Sequence, residues 1–230
     1  RAGTTRDPVD TPMQYHGRPL IFVDTAGLRR QSKVKDSLEY YSALRTAKVV
    51  RDADVCLVLV DATEPIHVQD LKVAEQAWEA GAAVILVANK WDLVDKDHRT
   101  APQFEKDLME RAPFLRWVPV LFTSALSGQR VRKCLDLVLQ LQETRHQRVS
   151  TADVNKALEA LLRRQPPPHS RGRRMKLRYG TQVSVAPPTF VFFCNLPEDL
   201  PEHYKRYVHN SLRDQWGFIG SPLRLRFREN

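Results

Sequence analysis

The sequence has little that would staple a fold or span a membrane. Its 230 residues hold three cysteines, Cys56, Cys134 and Cys194, far apart and each beside apolar residues. An odd, scattered set excludes a disulfide framework and a CxxC metal site. It suits a reducing compartment in which the thiols are inert core groups. No apolar run approaches the ~18 residues of a membrane span, so no membrane partner is expected. No internal repeat is visible. The opening Arg1-Ala2-Gly3-Thr4-Thr5-Arg6-Asp7 has neither an initiator Met nor an apolar signal region. A fragment, or the product of an upstream cut, is the expectation.

What is present is ordinary in amount and uneven in placement. An apolar share of 42% and a charged share of 27% exclude a disordered chain. The net charge is +9, but residues 1–149 carry 22 Lys and Arg against 20 Asp and Glu, while residues 150–230 carry 14 against 7. Basic charge gathered in one segment is the footprint of a phosphate-backbone binder, or else a solvated face with no partner.

The pattern of apolar runs supports the same division. Leu20–Val23, Val55–Val60, Ala83–Ala88 and Val118–Phe122 read as strands, the second and third apolar throughout and so buried on both faces of a parallel sheet. Helical patterns lie between them over about Val68–Ala80, Gln103–Arg111 and Val131–Arg148, the last with Val131, Leu135, Val138 and Leu139 on one stripe. Residues 1–149 therefore predict a doubly wound α/β domain. Residues 150–230 predict a small α+β domain: a helix capped by Ser150 or Thr151, strands over Lys176–Val185 and Thr189–Cys194, a helix over Glu202–Gln215, and a strand over Leu223–Arg228.

Three tetrapeptides carry the chemistry, each at the end of a predicted strand. In Asp24-Thr25-Ala26-Gly27 a carboxylate at a strand's carboxyl end can hold Mg²⁺ through water, and a glycine three residues on lets a backbone N–H approach a phosphate. In Asn89-Lys90-Trp91-Asp92 a carboxylate can accept two N–H bonds from guanine, where adenine offers no matching pair of donors, and the lysine stem can lie over the base. In Thr123-Ser124-Ala125-Leu126 a backbone N–H can reach the guanine oxygen. Each alone is common as a plain strand-end turn; the ordered set is not.

These residues resemble the translation-factor-related GTPases. Asp24–Gly27 resembles their DxxG switch II motif, Asn89–Asp92 their NKxD motif and Ser124–Leu126 their SAx motif. Gly3–Asp7 resembles the switch I motif of the Era, MnmE and EngA branch. The wording Asp24-Thr25-Ala26-Gly27-Leu28-Arg29-Arg30, Asn89–Leu93 and Gly217–Arg228 is similar to the EngA (Der) family of tandem GTPases, over essentially the whole chain. The resemblance implies a P-loop NTPase-type doubly wound sheet, incomplete here, as the second G domain over 1–149, and a KH-like domain over 150–230. It implies GTP and GDP as ligands and Mg²⁺ held by Thr5 (Thr4 as fallback) and Asp24. The nucleotide-contacting set it implies is Asp24, Thr25, Ala26, Gly27, Leu28, Asn89, Lys90, Trp91, Asp92, Ser124, Ala125 and Leu126. It also implies a cytoplasmic role in assembly of the large ribosomal subunit through rRNA, with a further G domain upstream in cis.

Three features qualify the expectation. No GxxxxGK[ST] loop occurs in the 230 residues, so the parent is expected to be a GTPase while this polypeptide alone is expected to bind GTP poorly and be inactive. Leu28 stands where Ras-type enzymes place a water-orienting glutamine, so no general base is assigned, and K⁺ is the hydrolysis activator that the resemblance implies. Gly217-Phe218-Ile219-Gly220 spells the GxxG of RNA-clamping KH loops but joins a helix to a strand, and reads as a turn. RNA contacts are then expected from Arg171, Arg173, Arg174, Lys176 and Arg178 and from Arg224, Arg226 and Arg228 on one face of the last strand. The remaining alternatives are a non-enzymatic rRNA- or ribosome-binding fragment, or an Era-like small-subunit assembly GTPase. The histidines His67, His98, His146, His169, His203 and His209 show no metal spacing and are read as surface residues, and Trp91 as packing on the base-site wall.

Overall fold

The structure, a computed structural model, describes residues 10–23, 50, 52–95, 97, 99–170 and 172–229. By its contacts the chain divides into two units, residues 1–53 and 54–230. The described part of the first is an antiparallel hairpin, β1 (Asp10–Tyr15) and β2 (Arg18–Val23), paired from Asp10↔Val23 to Tyr15↔Arg18. His16 and Gly17, with φ of 50° and 74°, close it as a two-residue turn whose twist matches that of the strands. β1 was not apparent from the sequence, because it carries Pro12 and alternates polar residues with few apolar ones.

The second unit begins with a parallel sheet of β3 (Val55–Asp61), β4 (Ala83–Asn89) and β5 (Val120–Phe122), in that order. Register runs from Val55↔Ala83 to Asp61↔Asn89 and from Leu86↔Val120 to Ala88↔Phe122. β4 is buried along all its apolar residues, as an uninterrupted Ala-Val-Ile-Leu-Val-Ala run requires. β3 departs from the expectation. It lies at the edge of these three strands and leaves Leu59 53% exposed. Helix α1 (Val68–Ala80) links β3 to β4 and ends on Gly81 at φ 100°, the left-handed position glycine fills. Helix α2 (Thr100–Arg111) and a 3₁₀ turn, Pro113–Trp117, lead to β5, and α3 (Val131–His146) follows. The buried stripe of α3 is Cys134, Leu141 and Arg145 with Leu137 and Val138 beside it, while Val131 is 41% exposed. The predicted stripe was rotated, because apolar residues on nearly every side of this helix leave its inward face undecided.

Next come α4 (Thr151–Arg164), a short ribbon of β6 (His169–Ser170) and β7 (Arg173–Arg174), then β8 (Leu177–Ser184), β9 (Thr189–Cys194), α5 (Glu202–Trp216) and β10 (Arg224–Glu229). Ser150 caps α4, its Oγ accepting from the Asp153 N–H at 3.1 Å. The sheet order is β10-β9-β8, with β9 and β10 parallel and β8 antiparallel to β9. One face carries Phe190, Phe192 and Cys194 into a core with Val154, Leu158, Tyr204 and Leu212 from α4 and α5. Gly180 is needed here, because a Cβ would lie 2.5 Å from the Phe192 ring.

The two sheets are joined by backbone hydrogen bonds. The Gly217–Gly220 segment is the turn expected from its place between α5 and β10, but it does more than reverse the chain. The Gly220 N–H donates to the Trp117 carbonyl at 2.6 Å, and its own carbonyl accepts from the Val84 N–H at 2.8 Å. Gly220 thus fills the gap between β4 and the approach to β5. Arg213, 2% exposed, donates to the carbonyls of Phe218 at 2.8 Å and Ser221 at 2.9 Å, and its guanidinium packs on the rings of Trp117 and Trp78. Arg145, 5% exposed, binds Asp54 at 2.6 Å and the Gly81 carbonyl at 3.2 Å, while its own carbonyl accepts from the Ala186 N–H.

His209 corrects the surface assignment. It is half-buried on α5 beside Trp117, and its Nε2 accepts from the Arg213 Nε at 3.4 Å. Burial first, and the neighbouring Arg213 cation second, push its pKa down to about 4, so the imidazole is neutral at pH 7. The three thiols are free, and burial raises each thiol's pKa, that of Cys56 to about 11, which makes them unreactive.

A Cβ at Gly220 would sit 1.8 Å from Leu141 Cδ2, on a backbone already at φ +70°, whereas Gly172, at φ +72°, has nothing within 4 Å. Gly220→Ala should therefore cost about 3 kcal/mol or more, through overpacking added to left-handed strain, and Gly172→Ala about 1 kcal/mol. Thermal unfolding should show a Tm loss several-fold larger for the first; equal losses would show that the close approach is not a constraint.

Candidate functional site

The carboxyl ends of β4 and β5 meet around one cavity of about 540 Å³, lined by Asn89, Lys90, Asp92, Leu93, Ser124, Ala125 and Leu126. Two motifs more than thirty residues apart in sequence are thus brought to one place, because parallel register sets both strand ends on the same side of the sheet. Asn89 fastens the loops together: its Oδ1 accepts from the Ala125 N–H at 2.9 Å and from Thr123 Oγ1 at 3.4 Å. A second stitch runs from the Trp91 N–H to the Thr123 carbonyl at 2.9 Å. Ser124 is fully buried, and its Oγ accepts from the Ser127 N–H, which shapes the turn after β5.

Asp92 is exposed, lines the cavity, and has no hydrogen-bond partner among the described residues. The rims are apolar: Leu93 is 67% and Leu126 91% exposed. Trp91 does not itself line the cavity. Its ring, 6% exposed, lies 4.2 Å from that of Phe122 and 6.3 Å from that of Phe104 and anchors the loop from beneath. The arrangement offers a flat ligand an apolar slot with an uncommitted carboxylate beside it.

One participant was not found from the sequence. Lys90 sits in the left-handed region at φ 62°, and its Nζ lies 2.5 Å from Oδ2 of Asp61 at the end of β3. Asp61 Oδ1 accepts from both the N–H and the hydroxyl of Thr63, at 3.0 and 2.7 Å. The ammonium of Lys90 first, then the two Thr63 donors, hold the Asp61 carboxyl down at about 2. The available signal was register: an aspartate ending the strand that pairs beside the lysine's own, with Asp61 opposite Asn89.

The predicted Mg²⁺ residues Thr5 (with Thr4) and Asp24, and with them Thr25, Ala26, Gly27 and Leu28, lie outside the described residues, as do Arg171 and His98. No group of three His, Cys, Asp or Glu among the described residues could hold a metal ion. Of the basic candidates, Arg173, Arg174, Lys176, Arg178, Arg226 and Arg228 are exposed. Arg224 is engaged, donating to the Glu79 carbonyl at 2.6 Å. No described helix is long and apolar enough to cross a membrane.

Comparison with known proteins places this geometry. The Elongation factor Tu GTP binding domain model matches residues 2–144, more than half of the chain. The chain belongs to that family. A second model, the KH-domain-like C-terminal domain of EngA bacterial GTPase enzymes, matches residues 148–228. Among individual relatives of this GTP-binding family, the chain is similar to GTPase Der of Gemmatimonas aurantiaca, 55% identical over 228 residues, and to GTPase Der of Desulfitobacterium hafniense, 46% identical over 227. Each match covers 99% of this chain and 52% of the relative, so the chain spans about half the length of the curated relatives it matches. Among solved structures, that of Era in complex with MgGDPNP and nucleotides 1506–1542 of 16S ribosomal RNA matches with a TM-score of 0.50 at 19% identity, over 100% of this chain and 82% of that one. That likeness supports the fold, a GTPase α/β domain followed by a KH-like one.

The Asp61–Lys90 pair has a checkable consequence. Because the folded-state pKa of Asp61 lies below the ordinary aspartate value, its stabilisation is present above about pH 4 and is lost as pH falls toward 2. A carboxyl-carbon NMR titration of Asp61 should show a midpoint near 2, shifted upward in Lys90→Met; a midpoint near 4 in both would mean the pair does not form.

Proposed function

We propose that the cavity between Asn89–Asp92 and Ser124–Leu126 binds the guanine base of GTP or GDP, and that the chain is the GTP-switch and KH-like portion of a ribosome-assembly GTPase. The observation that carries the reading is the uncommitted Asp92 carboxylate on an apolar-rimmed slot whose loops are fastened by Asn89. Asp92 accepts from the N1–H and exocyclic amine of guanine. A backbone N–H within Ser124–Leu126 donates to O6, and the Lys90 stem, tethered by Asp61, covers one face of the base.

The domain division in this reading falls at 149/150. Thr5 and Asp24 would hold Mg²⁺, which when bound would supply neutralising charge beside the phosphates, and Gly27 would offer a backbone N–H to the terminal phosphoryl group. K⁺ takes the part of the hydrolysis activator, since Leu28 can orient no water. The phosphate-cradling Gly-rich loop is not among these 230 residues, and hydrolysis belongs to a polypeptide that carries one. The proposed setting is the cytoplasm and the partner the large ribosomal subunit, reached through rRNA by the basic residues of the KH-like domain, with a second G domain in cis. The presence of both family models along one chain and the names of its relatives support this setting.

In the full-length protein, Asp92→Asn should abolish the preference for GTP over XTP by removing the acceptor for the N1–H and the amine; unchanged selectivity would refute the assignment. Hydrolysis should run faster in KCl than in NaCl at equal ionic strength, and equal rates would remove the K⁺ role.

A further inference from the structure

The KH-like sheet has a second face. Phe190, Phe192 and Cys194 of β9 point into the helical core, so Val191 and Phe193 lie opposite. Register places Tyr179 beside Phe193 on one side and Arg228 on the other, and Thr181 and Arg226 on the two sides of Val191. Tyr179 is 42% exposed, and its ring centroid lies 6.0 Å from that of Phe193. Arg226 and Arg228 are exposed, and neither has a hydrogen-bond or ion-pair partner among the described residues. No acidic residue occupies these positions of the three strands.

The basic loop borders the same end of the sheet. The Lys176 N–H donates to Asn195 Oδ1 at 2.9 Å, and Asn195 Nδ2 donates to the Arg174 carbonyl at 3.0 Å. Asn195 follows Phe193 by two residues, so Arg174 and Lys176 flank the ring pair. The two basic groups that are separate in sequence, one before β8 and one on β10, therefore frame a single surface with aromatic rings between them.

We propose that this outer sheet face is a platform for single-stranded RNA: one or two bases stack on Tyr179 and Phe193 while Arg226 and Arg228 take the adjoining phosphates. The proposal deepens the rRNA contact of the function proposed above and rests on it. The exposed guanidiniums, with Glu198 and Glu229 beside Arg228 in a neighbouring cleft but paired to neither, match a phosphate backbone. The exposed Tyr179 ring, beside a half-buried Phe193, matches a base with an open π-face, which single strands present and duplexes bury. The GxxG look-alike is not available for this task, since Gly220 is built into the neighbouring sheet.

The test is fluorescence anisotropy with a labelled 12-nucleotide single-stranded RNA of mixed sequence, and with its duplex, using the full-length protein. Tyr179→Ala and Phe193→Leu should each weaken single-strand binding about tenfold, while Tyr179→Phe binds as the parent does. Arg226→Gln and Arg228→Gln should each lower the dependence of log K on log salt by about 0.7. Melting curves establish that the variants are folded. Unchanged affinity in folded Tyr179→Ala and Phe193→Leu, or equal affinity for the duplex, overturns the platform while leaving RNA binding in place. No binding by the parent protein to either RNA overturns the rRNA contact itself, and the platform with it.

Discussion

A buried guanidinium with no carboxylate to meet it among the described residues governs how this molecule is put together. Arg213 leaves α5 almost completely removed from water, and desolvation draws its pKa down to about 9, which still leaves it charged at pH 7. Such a group persists only if every direction of its donor fork is answered. The carbonyls of Phe218 and Ser221 answer two, and the rings of Trp78 and Trp117 close over its faces. Trp78 and Trp117 belong to the parallel-sheet layer, Phe218 and Ser221 to the turn before β10. Satisfying one cation therefore requires both layers and the turn together.

That turn then reaches the central strand. With Phe218 buried in the KH-like core and Arg213 holding the carbonyl on either side, Gly220 is delivered to the start of β4 and bonds across the gap to Trp117. β4 begins at this stitch and, about 20 Å further along, ends in Asn89 at the cavity. The strand that carries the proposed base-binding motif is thus anchored at its far end by the domain proposed to meet RNA. Arg145 also joins segments nearby, through a carboxylate as well as carbonyls, tying α3 to Asp54, to the end of α1 and to the segment before β9. Both arginines reach backbone carbonyls, and each also depends on side chains, Asp54 for Arg145 and the rings of Trp78 and Trp117 for Arg213.

The parts legible in the sequence were those with local causes. An unbroken apolar run made β4 a central strand; a cap at Ser150 or Thr151 marked the start of α4; the two motifs at strand ends converged because parallel strands present their carboxyl ends together. What escaped had non-local causes. Asp61 acquires its role from register with a strand more than twenty residues away, and His209 becomes half-buried only because Trp117 packs against it. Arg213 and Arg145 drew no assignment from the sequence, because nothing local shows which carbonyls will surround them. Gly220 is the sharpest case. Its spelling suggested a nucleic-acid loop or a plain turn, and the close approach that demands glycine is to Leu141, far away in the chain.

The central claim is that the KH-like turn and the strand leading to the cavity form one cooperative ladder. Native-state hydrogen exchange measured at the amides of Val84 and Gly220 tests it most directly. Both should exchange with the same opening free energy as the core amides of β4 and β9, and both should lose protection together in Gly220→Ala. A Val84 amide that stays protected while that of Gly220 exchanges as a surface turn would contradict the account.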